Sequence, residues 1–226
     1  WTDALKAAAE KLSGDASKIG AIAGDLCSAE DMKAAKDLFD ALGVVSYDCR
    51  QDGVKLGGGA REEYLFNATI AGIEDADAIL IIGSNPRFEA SMVNTRIRKT
   101  WLNNDTQVGV IGEAADLTYD YEHVGTSSAD LAGLAKKRSG FIKTLKDAKR
   151  PLILLGAGAL TGADGRQVLR AAGELADAVG AVSADWNGFS VLHTAASRVA
   201  GLDLGFVPGE GGHDVAGMQS TQMDTI

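Results

Sequence analysis

Apolar residues recur along this chain in two alternating rhythms, a helical stripe and a short unbroken run, and the alternation predicts an α/β fold. Leu5, Ala8, Ala9 and Leu12 fall at i, i+3, i+4 and i+7, so the first residues are expected to form an amphipathic helix packed on a neighbouring sheet. Ile19 to Ala23 reads as a strand. Ser28 with Asp31 resembles a capping box ahead of a second stripe at Met32, Ala35, Phe39 and Leu42, and Gly43 is placed to be the left-handed C-terminal cap. Val44 to Tyr47 returns as a strand, followed by a loop from Asp48 to Ala60 that contains Gly57, Gly58 and Gly59; so long a loop at a strand end is usually functional. Tyr64 to Ala76 is expected to be a third helix. Ala78 to Ile82 is an unbroken apolar run ending in Gly83, as for a central parallel strand covered on both faces. Glu89 to Asn103 is predicted helical, with Val93, Ile97 and Trp101 inward and Arg96, Arg98 and Lys99 outward, and Val108 to Ile111 is the next strand. This βαβα alternation is the signature of a doubly wound, Rossmann-like parallel sheet.

The pattern then weakens through two short helices, Ala129 to Ala135 and Gly140 to Lys149, before Pro151 opens a strand at Leu152 to Leu155. A domain boundary is therefore expected there, with residues 1–149 as the Rossmann-like domain and 150–226 as a second α/β part, incomplete at its C-terminus. In that part Val168, Ala172, Leu175 and Val179 make a helical stripe, Ala181 to Ala184 a short strand, and Ser190 to Val199 a last helix. Two strands cannot cover the apolar faces of those helices, so further strands are expected beyond Ile226. The chain begins at Trp1 without an initiator Met and reads as a piece of a longer protein.

Composition narrows the function. A net charge of -9 argues against nucleic acid, which demands a basic face. No apolar run approaches the roughly 20 residues that span a bilayer. The two cysteines, Cys27 and Cys49, are too few for a four-thiolate cluster, form no CxxC pair, and with a core of this size suit a reducing, cytosolic compartment.

Chemistry is best sought at strand ends. Ile81-Ile82-Gly83-Ser84-Asn85-Pro86 ends a buried strand in Gly, a small polar residue, Asn and Pro, and the helix that follows offers free N–H groups to an anion. The alternative is a plain strand-to-helix turn. Gly156-Ala-Gly158-Ala-Leu-Thr-Gly162, with Asp185 after the next expected strand, imitates a dinucleotide fingerprint, but its last glycine is displaced from the G-x-G-x-x-G spacing. His123, His193 and His213 have no metal-ligand spacing, and a G-x-S-x-G elbow is absent. Arg87, Arg96, Arg98 and Lys99 make either a basic stripe for an acidic partner or anionic cofactor, or a solvated helix face.

Longer stretches carry a family likeness. Residues Tyr64 to Ala90, continued by Asn94-Thr-Arg-Ile-Arg-Lys99, Val110-Ile-Gly-Glu-Ala-Ala-Asp-Leu-Thr-Tyr119, Tyr47-Asp-Cys-Arg-Gln-Asp-Gly53 and Leu202-Asp-Leu-Gly205, resemble the large iron-sulfur subunit of NADH-quinone oxidoreductases, respiratory complex I, in its molybdopterin oxidoreductase-like region. More distantly they are similar to molybdopterin-dependent formate dehydrogenases and nitrate reductases, where a Gly-x-Asn-Pro turn and an Asp-Pro-Arg turn hold the pterin. Here only the first turn survives, and Gly112-Glu-Ala-Ala-Asp116 stands at the second. Near Asp48-Cys49-Arg50, where those enzymes place a molybdenum ligand, the chain has Gln51-Asp52-Gly53, with Asp52 alone of a type that ligates molybdenum in some relatives.

The resemblance thus implies a molybdopterin oxidoreductase-like fold, with vestigial pterin-site positions at Gly83, Ser84, Asn85, Pro86, Arg50 and Asp52, and no catalytic residue, metal ligand or bound cofactor. It implies iron-sulfur clusters in a part of the subunit N-terminal to this chain, and other peripheral-arm subunits as partners. It places the chain, without membrane insertion, on the cytoplasmic side of a bacterial inner membrane. The competing expectations are a cofactor-binding piece of a true molybdopterin oxidoreductase and a nucleotide-binding module at Gly156 to Gly162.

Overall fold

The computed structural model describes residues 1–136 and 140–226. In chain order they form α1 (Thr2–Leu12), β1 (Gly20–Ile22), α2 (Ala29–Leu42), β2 (Ser46–Asp48), β3 (Ala78–Ile82), α3 (Pro86–Glu89), α4 (Ser91–Asn104), β4 (Gln107–Ile111) and β5 (Glu122–Gly125). There follow α5 (Ser128–Leu134), α6 (Phe141–Asp147), β6 (Pro151–Gly156), α7 (Gly165–Ala178), β7 (Phe189–Leu192), α8 (Arg198–Asp203) and α9 (Val215–Ser220). The chain divides into two compact units, Gly58–Thr194 and Trp1–Gly57 with Ala195–Ile226.

The larger unit is built on a five-stranded, all-parallel sheet in the order β5-β4-β3-β6-β7. β3 is its centre, as its unbroken apolar sequence predicts, and all five of its residues are buried. Ile79 and Ile81 pack on one face with Val93 and Ile97 of α4; Leu80 and Ile82, pointing to the other face by the two-residue period, are equally buried. Burying each such side chain stabilises the unit by about 1.5–3 kcal/mol. Taken in order of appearance, the strands lie third, second, first, fourth, fifth, so the winding reverses between β3 and β6.

The expected boundary at 149/150 falls inside this sheet. The strand opened by Pro151 pairs with β3 along its whole length, Ala78 against Pro151 through Ile82 against Leu155, so it completes the first sheet instead of starting a second. Of the helices after it, α7 packs on this sheet, while α8 and α9 belong to the smaller unit.

Three local readings also change. Tyr64 to Ala76 is no α-helix. Its polar groups bond across to β7 instead of along the chain: Leu65 O accepts from Val191 N (2.9 Å), Asn67 Nδ2 donates to Phe189 O (2.6 Å), and Ala68 N donates to Ser190 Oγ (3.1 Å). Thr69 turns at φ 60°, and only Gly72–Asp75 forms a short 3-10 turn. Ser190, expected to start a helix, lies in strand β7, and the helix begins at Arg198. Ala181 to Ala184 adds no strand to the sheet; Val182 makes a lone antiparallel bridge to Asn187.

The smaller unit holds β1 and β2, parallel, with Gly20 opposite Ser46 and Ile22 opposite Asp48. Its C-terminal segment flanks both strands: Gly20 N donates to Thr225 O (2.9 Å), and Gly209 N to Val45 O (2.9 Å). Between the strands runs α2. Ser28 Oγ caps it by accepting from Asp31 N (3.0 Å), and Gly43 at φ 75° ends it as expected. α1 forms where its stripe predicts, but none of its residues is buried and Leu5 is 63% exposed, so the stripe is not packed on a sheet.

Candidate cofactor site

In a doubly wound sheet, ligands settle in the crevice outside the carboxyl ends of the strands where the winding reverses. Here that place lies between the turn after β3, Gly83 to Pro86, and the 3-10 turn Ala157–Leu160 after β6. The two turns are in direct contact. Gly83 has φ 60°, and a Cβ on it would stand 2.4 Å from that of Ala159; a Cβ on Gly156 would stand 2.5 Å from Gly83 O. Gly156 is therefore required by close packing within the chain, which accounts for the first glycine of the run without a dinucleotide. Asp185, its expected acidic partner, is exposed and does not follow a strand of the sheet.

The groups of the Gly83 turn that suit an anion are already engaged. Ser84 Oγ donates to Glu89 Oε2 (2.6 Å) and Asn85 N donates to Glu89 Oε1 (3.1 Å), so a carboxylate from α3 sits where a phosphate oxygen would be received. Asn85 Oδ1 is buried without a hydrogen-bond partner. The same device recurs after β5, where Asp130 Oδ2 accepts from Thr126 N, Ser127 N and Ser127 Oγ at 2.8–3.0 Å. Beside the first turn, a cavity of about 410 Å³ is lined by Ser84, Asn85, Glu89 and Glu113. Near a protein surface, two like charges about 4 Å apart repel by about 4 kcal/mol, so two carboxylates on this wall oppose a pyrophosphate strongly.

The acidic turn that stands at the second pterin position is fixed from several sides. Asp116 accepts from Arg87 Nη1 (2.6 Å) and Thr118 N (2.9 Å); the Thr118 N–H and then the Arg87 charge hold its carboxyl below the ordinary value. Tyr119 Oη donates to Asn94 Oδ1 (2.8 Å), Asn94 Nδ2 to Leu117 O (3.1 Å), and Arg98 Nε to Thr118 O (3.1 Å). Arg96 and Lys99 both pair with Glu74. The basic run on α4 is thus spent inside the chain.

Arg50 and Asp52 belong to the smaller unit, at the carboxyl ends of its strands. Arg50 makes a two-pronged pair with Asp48, Nε to Oδ1 (2.8 Å) and Nη2 to Oδ2 (2.9 Å), and its Nη1 donates to Leu56 O (2.8 Å). Asp48 is 1% exposed. Asp52 Oδ1 lies 3.0 Å from Nη2 of Arg198, itself 1% exposed, and Oδ1 also accepts from Val54 N (3.2 Å). The one carboxylate of a molybdenum-ligating type is therefore committed to a buried guanidinium. Between them Cys49 is buried, and burial, with the Asp48 charge adding to it, pushes its thiol up to about 11, so it stays protonated near neutral pH.

Glu89 and Arg198 escaped the sequence reading. Glu89 was legible in principle, as an acid four residues after Asn85 in a turn followed by Pro at the helix start. Arg198 carried an opposite signal, since a cation in the first turn of a helix opposes its dipole and asks for a local acid. The histidines are separate: His123 Nε2 lies 2.9 Å from Gly112 O and His193 Nε2 2.6 Å from Tyr64 O, while His213 N donates to Ser46 Oγ. Among the described residues, no group of three or more His, Cys, Asp or Glu is arranged to hold a metal, and no helix is long and apolar enough to cross a membrane.

The chain is 42% identical over 209 residues to the NADH dehydrogenase [ubiquinone] iron-sulfur protein 1, mitochondrial, of Solanum tuberosum, covering 92% of this chain and 28% of that protein. It is 40% identical over 212 residues to the mitochondrial NADH-ubiquinone oxidoreductase 78 kDa subunit of Candida albicans, covering 91% and 29%. The chain thus spans under a third of these relatives' length. Among solved structures, a chain of the formyltransferase/hydrolase complex of Methylorubrum extorquens, in complex with methylofuran, shares the fold. The TM-score is 0.58 and the identity 18%, over 91% of this chain and 63% of that one. The chain is a homologue of part of the complex I iron-sulfur subunit, its molybdopterin oxidoreductase-like region. The family model of molybdopterin oxidoreductases matches residues 1–224, and with a five-stranded parallel sheet to carry the match, this chain belongs to that family.

Proposed function

We propose that this chain is a scaffold domain in the peripheral arm of an NADH-quinone oxidoreductase, keeping the family's fold but having lost molybdenum cofactor binding. In this reading it supplies no catalytic residue and no metal ligand. The iron-sulfur clusters lie in a part of the subunit N-terminal to it. It docks against other peripheral-arm subunits on the cytoplasmic side of a bacterial inner membrane, while the whole complex passes electrons from NADH to quinone and moves protons.

The observation that carries the proposal is the Glu89 carboxylate seated on Ser84 Oγ and Asn85 N. A cofactor pyrophosphate would have to displace it, approach Glu113, and part the contact between Gly83 and Ala159. The residues present do not fit the group. Arg50 and Asp52, bound to Asp48 and Arg198, offer it nothing without breaking buried ion pairs.

The test is elemental analysis for molybdenum, with a fluorescence assay for released pterin, on chain produced with both supplied and shown to unfold cooperatively. Background molybdenum and no pterin are expected. Near-stoichiometric molybdenum with pterin would sink the proposal. A second reading, a cofactor-binding piece of a true molybdopterin oxidoreductase, draws on the partnerless Asn85 Oδ1, which a ligand would satisfy. It requires pterin retention that falls when Asn85→Asp adds a further negative charge.

A further inference from the structure

We infer that the exposed face of α4 is a docking surface for an acidic amphipathic helix of another peripheral-arm subunit. The inference rests on the scaffold reading and deepens it, naming a face of the larger unit and the chemistry of the partner it fits.

α4 turns Val93, Asn94, Ile97 and Thr100 into the larger unit. Met92, Thr95, Lys99 and Leu102, spaced i, i+3, i+7 and i+10, share the opposite side. Met92 is 65% and Leu102 53% exposed, and Phe88, in α3 just ahead of them, is 81% exposed. One apolar side chain in water is ordinary on a protein surface. Three along one helix and the turn that leads into it make a strip that a partner can cover.

The charges say which partner. α4 carries three cations, Arg96, Arg98 and Lys99, and no acid. Their hydrogen bonds are made inside the chain, but their charge is not balanced there. Arg96 and Lys99 share one carboxylate, Glu74, and Arg98 donates its Nε to a carbonyl, Thr118 O. Three cations against one carboxylate leave two positive charges over, in a chain whose net charge is -9. The neighbouring acids are engaged or displaced: Glu89 folds back onto Ser84 and Asn85, Asp116 pairs with Arg87, and Asp105 stands past the carboxyl end of the helix.

A complementary helix carries apolar residues at helical spacing along about 20 Å, to lie on Phe88, Met92 and Leu102, with carboxylates beside them for Arg98 and Lys99. An anionic lipid surface fits less well. Its recognition draws on clusters of about four to eight cations, and this chain as a whole is negative.

The test is photo-cross-linking in the assembled complex, with benzoylphenylalanine in place of Met92 or of Leu102, one at a time, in the full-length subunit. The cross-linked peptides are identified by mass spectrometry. Both positions are expected to reach one helical segment of another subunit that holds more Asp and Glu than Lys and Arg. Arg98→Glu should lower that yield by about fivefold or more, because an attraction becomes a repulsion. Arg170→Glu, the same charge change on the exposed side of α7, should leave it unchanged. Arg98 is itself exposed, so its reversal should leave the melting temperature of the chain in place. A cross-link to lipid, to a segment without excess acid, or to nothing while the subunit is present in the purified complex overturns the inference and leaves the scaffold reading standing. A yield indifferent to Arg98→Glu overturns it too. Absence of the subunit from the complex sinks both.

Discussion

At the carboxyl edge of the five-stranded sheet, carboxylates of Glu89, exposed, and Asp130, half-buried, cap backbone N–H groups, whereas at the edge of the two-stranded sheet aspartates neutralise the guanidinium groups of Arg50, mostly buried, and Arg198, wholly so. Both arrangements satisfy polar groups that a ligand could otherwise use. They differ in what holds them. Water can replace Glu89 on its turn at small cost, but nothing replaces Asp48 on Arg50. The first edge is closed by backbone approach at Gly83 and Gly156 and decorated with charge; the second is closed by charge itself.

The sharpest way to break that comparison is Asp48→Ala. It leaves Arg50, 12% exposed at the side chain, without its two-pronged partner, and should lower unfolding stability by about 3–5 kcal/mol in a urea titration. A loss no larger than that of an exposed pair would show that the guanidinium reaches water. Gly83→Ala comes next. A left-handed residue and a Cβ 2.4 Å from that of Ala159 should together cost about 2–4 kcal/mol, with no change in net charge. Acid sharpens the exposed side. The carboxyl of Glu74, held low by its bonds to Lys99 and Arg96, and that of Asp116 both lie below their ordinary 4.5 and 3.8. Their contribution is thus present above pH 4.5 and is lost as pH falls through the depressed values. Glu74→Gln should flatten that acid limb in a melting-temperature series. The smallest effect is expected of Glu89→Gln, within about 1 kcal/mol of the parent, because the residue is exposed and two ordinary hydrogen bonds remain available.

What could be read from the residues divides along a physical line. The β3 run, the α7 stripe and the Gly43 cap rest on local period and local backbone geometry, and each lies where expected. Tyr64 to Ala76 shows a helix-like scatter of apolar residues, yet its bonds go to β7, more than 120 residues on, and no local rule announces such partners. The run Phe189 to Leu192 is too short for its period to separate strand from helix, and β5, with Glu122 and His123 exposed, lacks the apolar run that marks a buried strand. At the candidate site, position was legible and condition was not. Gly83 to Pro86 does lie at the reversal of the sheet, but that Glu89 folds back onto it, and that Asp52 is held by Arg198, depends on side-chain geometry.

The smaller unit is discontinuous in sequence, and that carries a consequence for the order of assembly during synthesis. β1 and β2 are made before Gly58–Thr194, but the groups that flank them, at Phe206, Gly209 and Thr225, are made only after all of it. The contiguous larger unit can fold while the edges of the short sheet still wait for partners, so a nascent chain passes through a stage with open strand edges at β1 and β2. A chain stopped after Thr194 keeps all five strands of the large sheet and strands the small one in that intermediate.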